Sequence, residues 1–208
     1  MAHSPFDIGS KDLSFACDCG AISGILRDVG PDQGDHVICH CTDCQGLTHH
    51  LGHAAKLLDA HGGSPLYQSR CARVEIISGR DQLACLHLTD KPTLRWHARC
   101  CGMPLFNTYA TGKIPYVTIQ LGACDPATRA RLVGPPRGHL FTQDGIGDTS
   151  ALRKMSMAAL MWRFFPRMIK DIISGDRRRC ALFDAATLAP IAEPRRLTSE
   201  ERQSIRRG

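Results

Sequence analysis

Cys39, Cys41 and Cys44 fall within six residues, Cys39-His40-Cys41-Thr42-Asp43-Cys44, in a C-x-C-x-x-C cluster. Two further pairs accompany it, Cys17-Asp18-Cys19-Gly20 upstream and Cys100-Cys101-Gly102 downstream. Thiolates two and three positions apart can converge on one soft cation from a tight turn, because a tetrahedral zinc with Zn–S bonds of about 2.3 Å needs closely spaced, divergent donors. One or two Zn2+ ions per chain are therefore expected. The alternative for Cys39, Cys41 and Cys44 is three small apolar side chains packed in a core; ligand spacing argues against it. Cys71, Cys85, Cys124 and Cys180 stand alone, lack that spacing, and read as core or near-surface thiols.

His40 lies between two proposed ligands and, in an extended segment, points away from them, either behind the ligands or toward solvent. His49, His50, His53 and His61 are close enough in sequence to form a proton shuttle or another metal site, against the plainer reading of a solvated helix face. His40 and the group at 49, 50 and 53 are the candidates for acid–base chemistry, and none is singled out.

The composition narrows the class. The 208 residues are 43% apolar and 22% charged, enough for a real core without disulfide scaffolding. Eleven cysteines are an odd number, and their clustering points to metal ligation in a reducing compartment. Residues 1–11 are polar and lack the apolar run of a signal peptide, and no later stretch reaches the roughly 18 apolar residues of a membrane span, so a cytoplasmic protein is expected. The charge is uneven: residues 1–150 hold 13 Lys/Arg against 14 Asp/Glu, and residues 151–208 hold 13 against 6. The basic tail, with Arg177-Arg178-Arg179, Arg195, Arg196, Arg202, Arg206 and Arg207, is a candidate for contact with nucleic acid or anionic lipid. No aromatic interleaving accompanies the arginines, which favours a solvated terminus.

The elements that must position the cysteines are mostly short strands. Segments 13–17, 21–29, 36–41, 73–78, 83–89, 93–98, 104–109 and 116–121 are bounded by Gly, Pro and Asp turns, and several alternate polar and apolar residues, which predicts a mainly antiparallel β core. A helix is predicted over 47–60, closed by His61-Gly62-Gly63. A second helical region is predicted from the Asp148-Thr149-Ser150 cap to Gly175, kinked or split by Pro166. It is basic and amphipathic, fit for packing on the β core, on a second subunit in a homodimer, or on a membrane surface. The domain reading is a β domain over residues 1–147 and a helical, basic extension over 148–208.

The ordered series Cys17-Asp18-Cys19-Gly20-Ala21-Ile22, Cys39-His40-Cys41-Thr42-Asp43-Cys44-Gln45, Cys101-Gly102-Met103-Pro104-Leu105-Phe106 and Gly138-His139-Leu140-Phe141 resembles the glutathione-dependent formaldehyde-activating enzyme family, grouped with centromere protein V. The resemblance covers about residues 12–145 and implies a β-tent fold over two zinc sites. It implies that Cys39, Cys41 and Cys44 hold a zinc with a position open to a thiol substrate. It also implies that Cys17, Cys19 and Cys101 hold a structural zinc. The family's late C-x-x-C would need a cysteine where this chain has Ala98. The fourth structural ligand is then His97 or Cys100, or is absent.

The activity implied is a carbon–sulfur lyase reaction read backwards, joining formaldehyde to a small thiol such as glutathione to give S-(hydroxymethyl)glutathione. Three thiolates weaken a metal's Lewis acidity and suit thiol capture better than water activation. The competing class is a zinc-binding module without catalysis that meets nucleic acid or protein through its basic tail.

Overall fold

Alternating polar and apolar residues set most of the strands seen in the computed structural model, which describes residues 8–207. In chain order these are β1 (Leu13–Ala16), β2 (Ser23–Leu26) and β3 (Asp35–Cys39), followed by helices α1 (Thr42–His50) and α2 (Ala54–Leu57). Then come β4 (Ser64–Arg70), β5 (Val74–Ser78), β6 (Leu83–His87), β7 (Thr93–Ala98), β8 (Pro104–Tyr109) and β9 (Tyr116–Gln120). The last part holds α3 (Pro126–Leu132), β10 (His139–Leu140), α4 (Met157–Ile173), β11 (Pro194–Arg196) and α5 (Ser199–Arg207). The chain is mainly β, with eleven strands among the described residues.

The strands form a three-stranded sheet, β1-β2-β5, and an eight-stranded sheet, β10-β3-β4-β9-β8-β7-β6-β11. Neighbours are antiparallel except at the two edges of the large sheet, where β10 runs parallel to β3 and β11 parallel to β6. Both edge strands are short and arrive from distant parts of the chain, which frees them from hairpin geometry.

The period of two gives the large sheet two unlike faces. One carries Tyr67, Leu94, Trp96, Phe106, Val117 and Ile119, and packs with Leu13, Phe15, Ile22 and Leu26 from the small sheet in the main core. The other carries a polar row. Register sets Arg95 beside Asn107, Asn107 beside Thr118 and Thr118 beside Gln68. Arg95 Nη1 donates to Asn107 Oδ1 at 2.9 Å, and Asn107 Nδ2 donates to Thr118 Oγ1 at 2.9 Å, so these buried polar groups satisfy one another.

Helix α4 lies over this polar face. Leu160 and Phe164 are buried beneath it, and Arg163, Arg167 and Asp171 pair downward. Asp35, fully buried at the start of β3, receives Arg163 Nε at 2.6 Å, Arg137 Nε at 2.7 Å and the Arg167 guanidinium. Asp171 pairs with Arg70 of β4. The helix begins later than the expected cap at 148–150: Ser156 Oγ accepts from the Ala159 amide at 3.1 Å. Pro166 does not split it, since the helix continues through to Ile173. Pro166 is exposed, so its ring stands clear of the packed side of the helix.

The single helix expected over 47–60 is two, with α1 starting at Thr42. Its first turn thus already contains Cys44. Cys71 and Cys180, expected to be separate thiols, form a disulfide across a sequence separation of 109. It ties the turn after α4 to the start of β5. Beyond residue 148, Leu182 and Phe183 join the main core, and β11 edges the large sheet. Residues 1–7 of the polar N-terminal stretch and the side chains of Arg206 and Arg207 lie outside the described residues.

Candidate metal centres

Two groups of thiols converge, each with its sulfurs within 4.8 Å of one another: Cys17, Cys19, Cys100 and Cys101 in the first, and Cys39, Cys41 and Cys44 in the second. The first is built from two turns. Cys17 and Cys19 follow β1, where the Gly20 amide closes a turn on the Cys17 carbonyl and Gly20 takes φ 76°. Cys100 and Cys101 occupy the β7–β8 hairpin, which Gly102 closes with φ 76° and an amide bond to the Ala98 carbonyl at 2.8 Å. A side chain at either glycine would meet the steric penalty of the left-handed region. This hairpin lets two adjacent cysteines reach one point.

Sulfur separations of 3.5 Å for Cys17 to Cys19, 3.8 Å for Cys17 to Cys100 and 3.2 Å for Cys19 to Cys100 fall near the edge of a tetrahedron of sulfurs about a zinc, roughly 3.8 Å for bonds of 2.3 Å. The Ile22 amide donates to Cys17 Sγ at 3.2 Å. The Ala21 amide, with Cys100 and Cys17, draws the Cys19 thiol down to about 7, while Cys19 and burial push Cys100 up to about 12. The donor set is four sulfurs, and it fits a metal ion. His97 lies outside it, in β7, with its buried Nδ1 unpartnered. Of the two candidates for the fourth position, Cys100 is the one that lies within the group.

His53 braces both turns. Its Nε2 lies 2.9 Å from the Cys101 carbonyl and its Nδ1 3.4 Å from Asp18 Oδ2, and Lys56 also pairs with Asp18. A histidine expected on a solvated face or in a shuttle is therefore a strut between the two cysteine turns. His49, His50 and His61 do not join it. His61 Nδ1 lies 3.0 Å from the Ile146 carbonyl instead.

The second group spans a strand end and a helix start. Cys39 ends β3, Cys41 is the residue before the first turn of α1, and Cys44 lies in that turn with its amide bonded to the Cys41 carbonyl at 3.0 Å. The free amides and dipole at a helix N-terminus favour negative sulfur there. Cys39 Sγ and Cys41 Sγ are 3.3 Å apart. The Arg95 guanidinium, only 7% exposed, places Nη1 at 3.7 Å from Cys44 Sγ.

Hydrogen bonds from Cys39 and Cys41, helped by Arg95 and opposed by burial, hold Cys44 well below the ordinary thiol value. Cys41 and Cys44, with burial, push Cys39 well above it. One thiolate is thus favoured where three stand together, and a bound cation is what would allow all three to ionise.

This group opens on a cavity of about 410 Å³. Its floor is the polar row of Arg95, Asn107 and Thr118, and its roof is the first half of α4 with Met157, Leu160 and Met161. Leu66, Leu140, Tyr109 and Tyr116 line the sides, and Lys91 and Asp43, paired at 2.8 Å, are also in the wall. The sequence places Arg95 in an expected strand, 93–98, without singling it out as a site residue. The signal for it was present: an arginine flanked by Leu94 and Trp96 in a strand that buries both faces.

His40 is fully buried, contrary to a solvent-facing placement. Its Nδ1 lies 3.0 Å from the His61 carbonyl, which can only accept, so Nδ1 carries the proton. His139 Nδ1 then donates to His40 Nε2 across 2.9 Å. The pair stands where β10 joins β3 and fixes the strand that ends in Cys39 from behind. Burial, then His40, lower the basicity of His139.

Five of the tail arginines are engaged within the chain. Arg195 pairs with Glu201, Arg196 and Arg202 approach Asp90, Arg179 approaches Asp176, and Arg178 donates to the carbonyls of Ala185 and Ala186. No helix among the described residues is long and apolar enough to cross a membrane.

Among curated proteins no sequence match is found. A crystal structure of a Rhodobacter sphaeroides protein is similar over 58% of this chain and 97% of its own length, at 14% identity and a TM-score of 0.37. A family model described as a family of unknown function, DUF6151, matches residues 9–194, which span both cysteine groups, the cavity and α4. The chain belongs to this DUF6151 family.

Proposed function

We propose that the chain is a zinc–thiolate protein of the β-tent kind that captures a small thiol at Cys39, Cys41 and Cys44 and forms or breaks a carbon–sulfur bond in its aldehyde adduct, as in S-(hydroxymethyl)glutathione. The observation that carries this reading is the difference between the two cysteine groups. Cys17, Cys19, Cys100 and Cys101 supply four donors, a complete tetrahedral set for a structural ion; Cys39, Cys41 and Cys44 supply three and face a cavity. The motif resemblance to the glutathione-dependent formaldehyde-activating enzymes supports the same assignment.

Cys39, Cys41 and Cys44 would hold the zinc ion, which when bound would supply a Lewis-acid position for the substrate sulfur. The remaining work falls to the chain. The amides at the start of α1 and the Arg95 guanidinium offset the negative charge that three cysteines and a substrate sulfur bring together. Asn107 and Thr118 hold Arg95 in its plane through their chain of hydrogen bonds. Met157, Leu160 and Met161 keep water from the carbonyl carbon. In the forward direction the sulfur forms a bond to the aldehyde carbon, the carbonyl π pair moves to oxygen, and the thiol's proton ends on that oxygen.

The test is the rate of adduct formation between 13C-formaldehyde and glutathione, followed by NMR exchange on protein of measured metal content, with the spontaneous reaction as blank. Acceleration lost in Cys41→Ser and kept in His97→Ala supports the reading. Metal-loaded protein that binds no thiol by calorimetry and does not exceed the blank refutes it.

A further inference from the structure

Helix α4 is turned opposite to most surface helices. Three of its four charged residues turn toward the protein, where Arg163 and Arg167 meet Asp35 and Asp171 meets Arg70, and Lys170 is left exposed to solvent. Its outward face carries Trp162 and Ile173, each 81% exposed, with Phe165, Ile169 and Ile172 also exposed. A helix on a solvated surface normally shows the reverse arrangement. The buried ion pairs fix it in this orientation, so the apolar face belongs to a seated helix.

The exposed residues follow the coiled-coil spacing. Trp162, Phe165, Ile169 and Ile172 are separated by three, four and three residues, the a-d-a-d seam of a helix that pairs with another helix. The positions flanking that seam are Met161, Pro166, Met168 and Ile173, none of them charged. Two identical faces can therefore meet without opposing like charges. A membrane-surface helix would place lysines and arginines along those flanks; here Arg163 and Arg167 are turned in toward Asp35.

The exposed seam is a contiguous apolar patch along one side of α4, of the kind that marks an interaction site when a soluble chain leaves it open. An antiparallel pairing centred on position 167 sets Trp162 against Ile172 of the partner subunit and Phe165 against Ile169 of the partner subunit. Each a position then meets a d position, and the two helix dipoles oppose one another favourably.

We infer that the outer face of α4 is the interface of a homodimer in which α4 packs antiparallel against α4 of a second copy of this chain. The inner side of the same helix roofs the cavity at Cys39, Cys41 and Cys44. The dimer contact thus clamps that roof from outside.

The test is sedimentation equilibrium of the full chain over a wide concentration range, alone and with vesicles of anionic phospholipid. Wild type is expected at twice the chain mass of 22.8 kDa. Trp162→Glu and Ile169→Glu should each weaken association roughly 30-fold or more while leaving the far-UV circular dichroism unchanged, since both side chains already face solvent. Three results overturn the inference: a wild-type monomer at all concentrations, a monomer that binds vesicles through this face, or a dimer that survives both substitutions together.

Discussion

The guanidinium of Arg95 lies 3.7 Å from the sulfur of Cys44, and its other contacts, Asn107 at 2.9 Å and Asp43 at 3.7 Å, hold it there from both sides. A buried cation beside a cysteine cluster biases the cluster toward thiolate, and so toward metal. Removing it should weaken the site selectively. Arg95→Met is expected to lower metal affinity at the three-cysteine group by about 10-fold or more, with the four-cysteine group unaffected. Competition with a chromophoric chelator measures both.

The two cysteine groups also predict a stoichiometry. Zinc-supplemented protein should bind one ion per group, two in all. Cys41→Ser and Cys100→Ser should each lose one ion, and His97→Ala should lose none. Only Cys100→Ser should markedly lower the melting temperature, because its ion ties the turn after β1 to the β7–β8 hairpin. Elemental analysis with thermal melts decides this, and loss of an ion in His97→Ala would contradict the assignment.

Asp35 bears the attachment of α4. Asp35→Asn leaves three arginines facing a neutral amide and should cost about 2–4 kcal/mol, less than a fully buried triad because Arg137 and Arg163 reach solvent. Urea unfolding gives the loss. Hydrogen exchange should show that amides of α4 open before those of β8 and β9.

His36 supplies a pH dependence. Its Nδ1 bonds the Gly134 carbonyl at 2.8 Å, and burial depresses its basicity below the ordinary histidine value of 6.5. In the window between the folded and unfolded values the unfolded chain binds the extra proton. The stabilising contribution is therefore present above about 6.5 and is lost as pH falls through the folded value. Wild type should lose more stability than His36→Gln between neutral and mildly acid pH. Equal losses would show that His36 is not the responsible group.

Much of the frame was legible because it is local. Alternation within segments such as 73–78 and 116–121, and the Gly, Pro and Asp turns between them, marked strands. Strand β4, opening with Ser64-Pro65, carried no such pattern; it is a strand because β3 and β9 pair with it on both sides. The edge strands β10 and β11, of two and three residues, are likewise made only by the partner they meet.

Ligand spacing depends on neighbours along the chain, so Cys39, Cys41 and Cys44 could be picked out from sequence alone as a group able to hold a metal ion. What required the tertiary structure were relationships across the chain: Cys100 rather than His97 beside Cys17 and Cys19, Arg95 beside Cys44, the Cys71–Cys180 disulfide, and α4 as the roof of a cavity with its apolar side outward. Sequence periodicity reports that a helix has two unlike faces. Which face turns inward depends on what waits beneath it, and here that is a buried aspartate, Asp35.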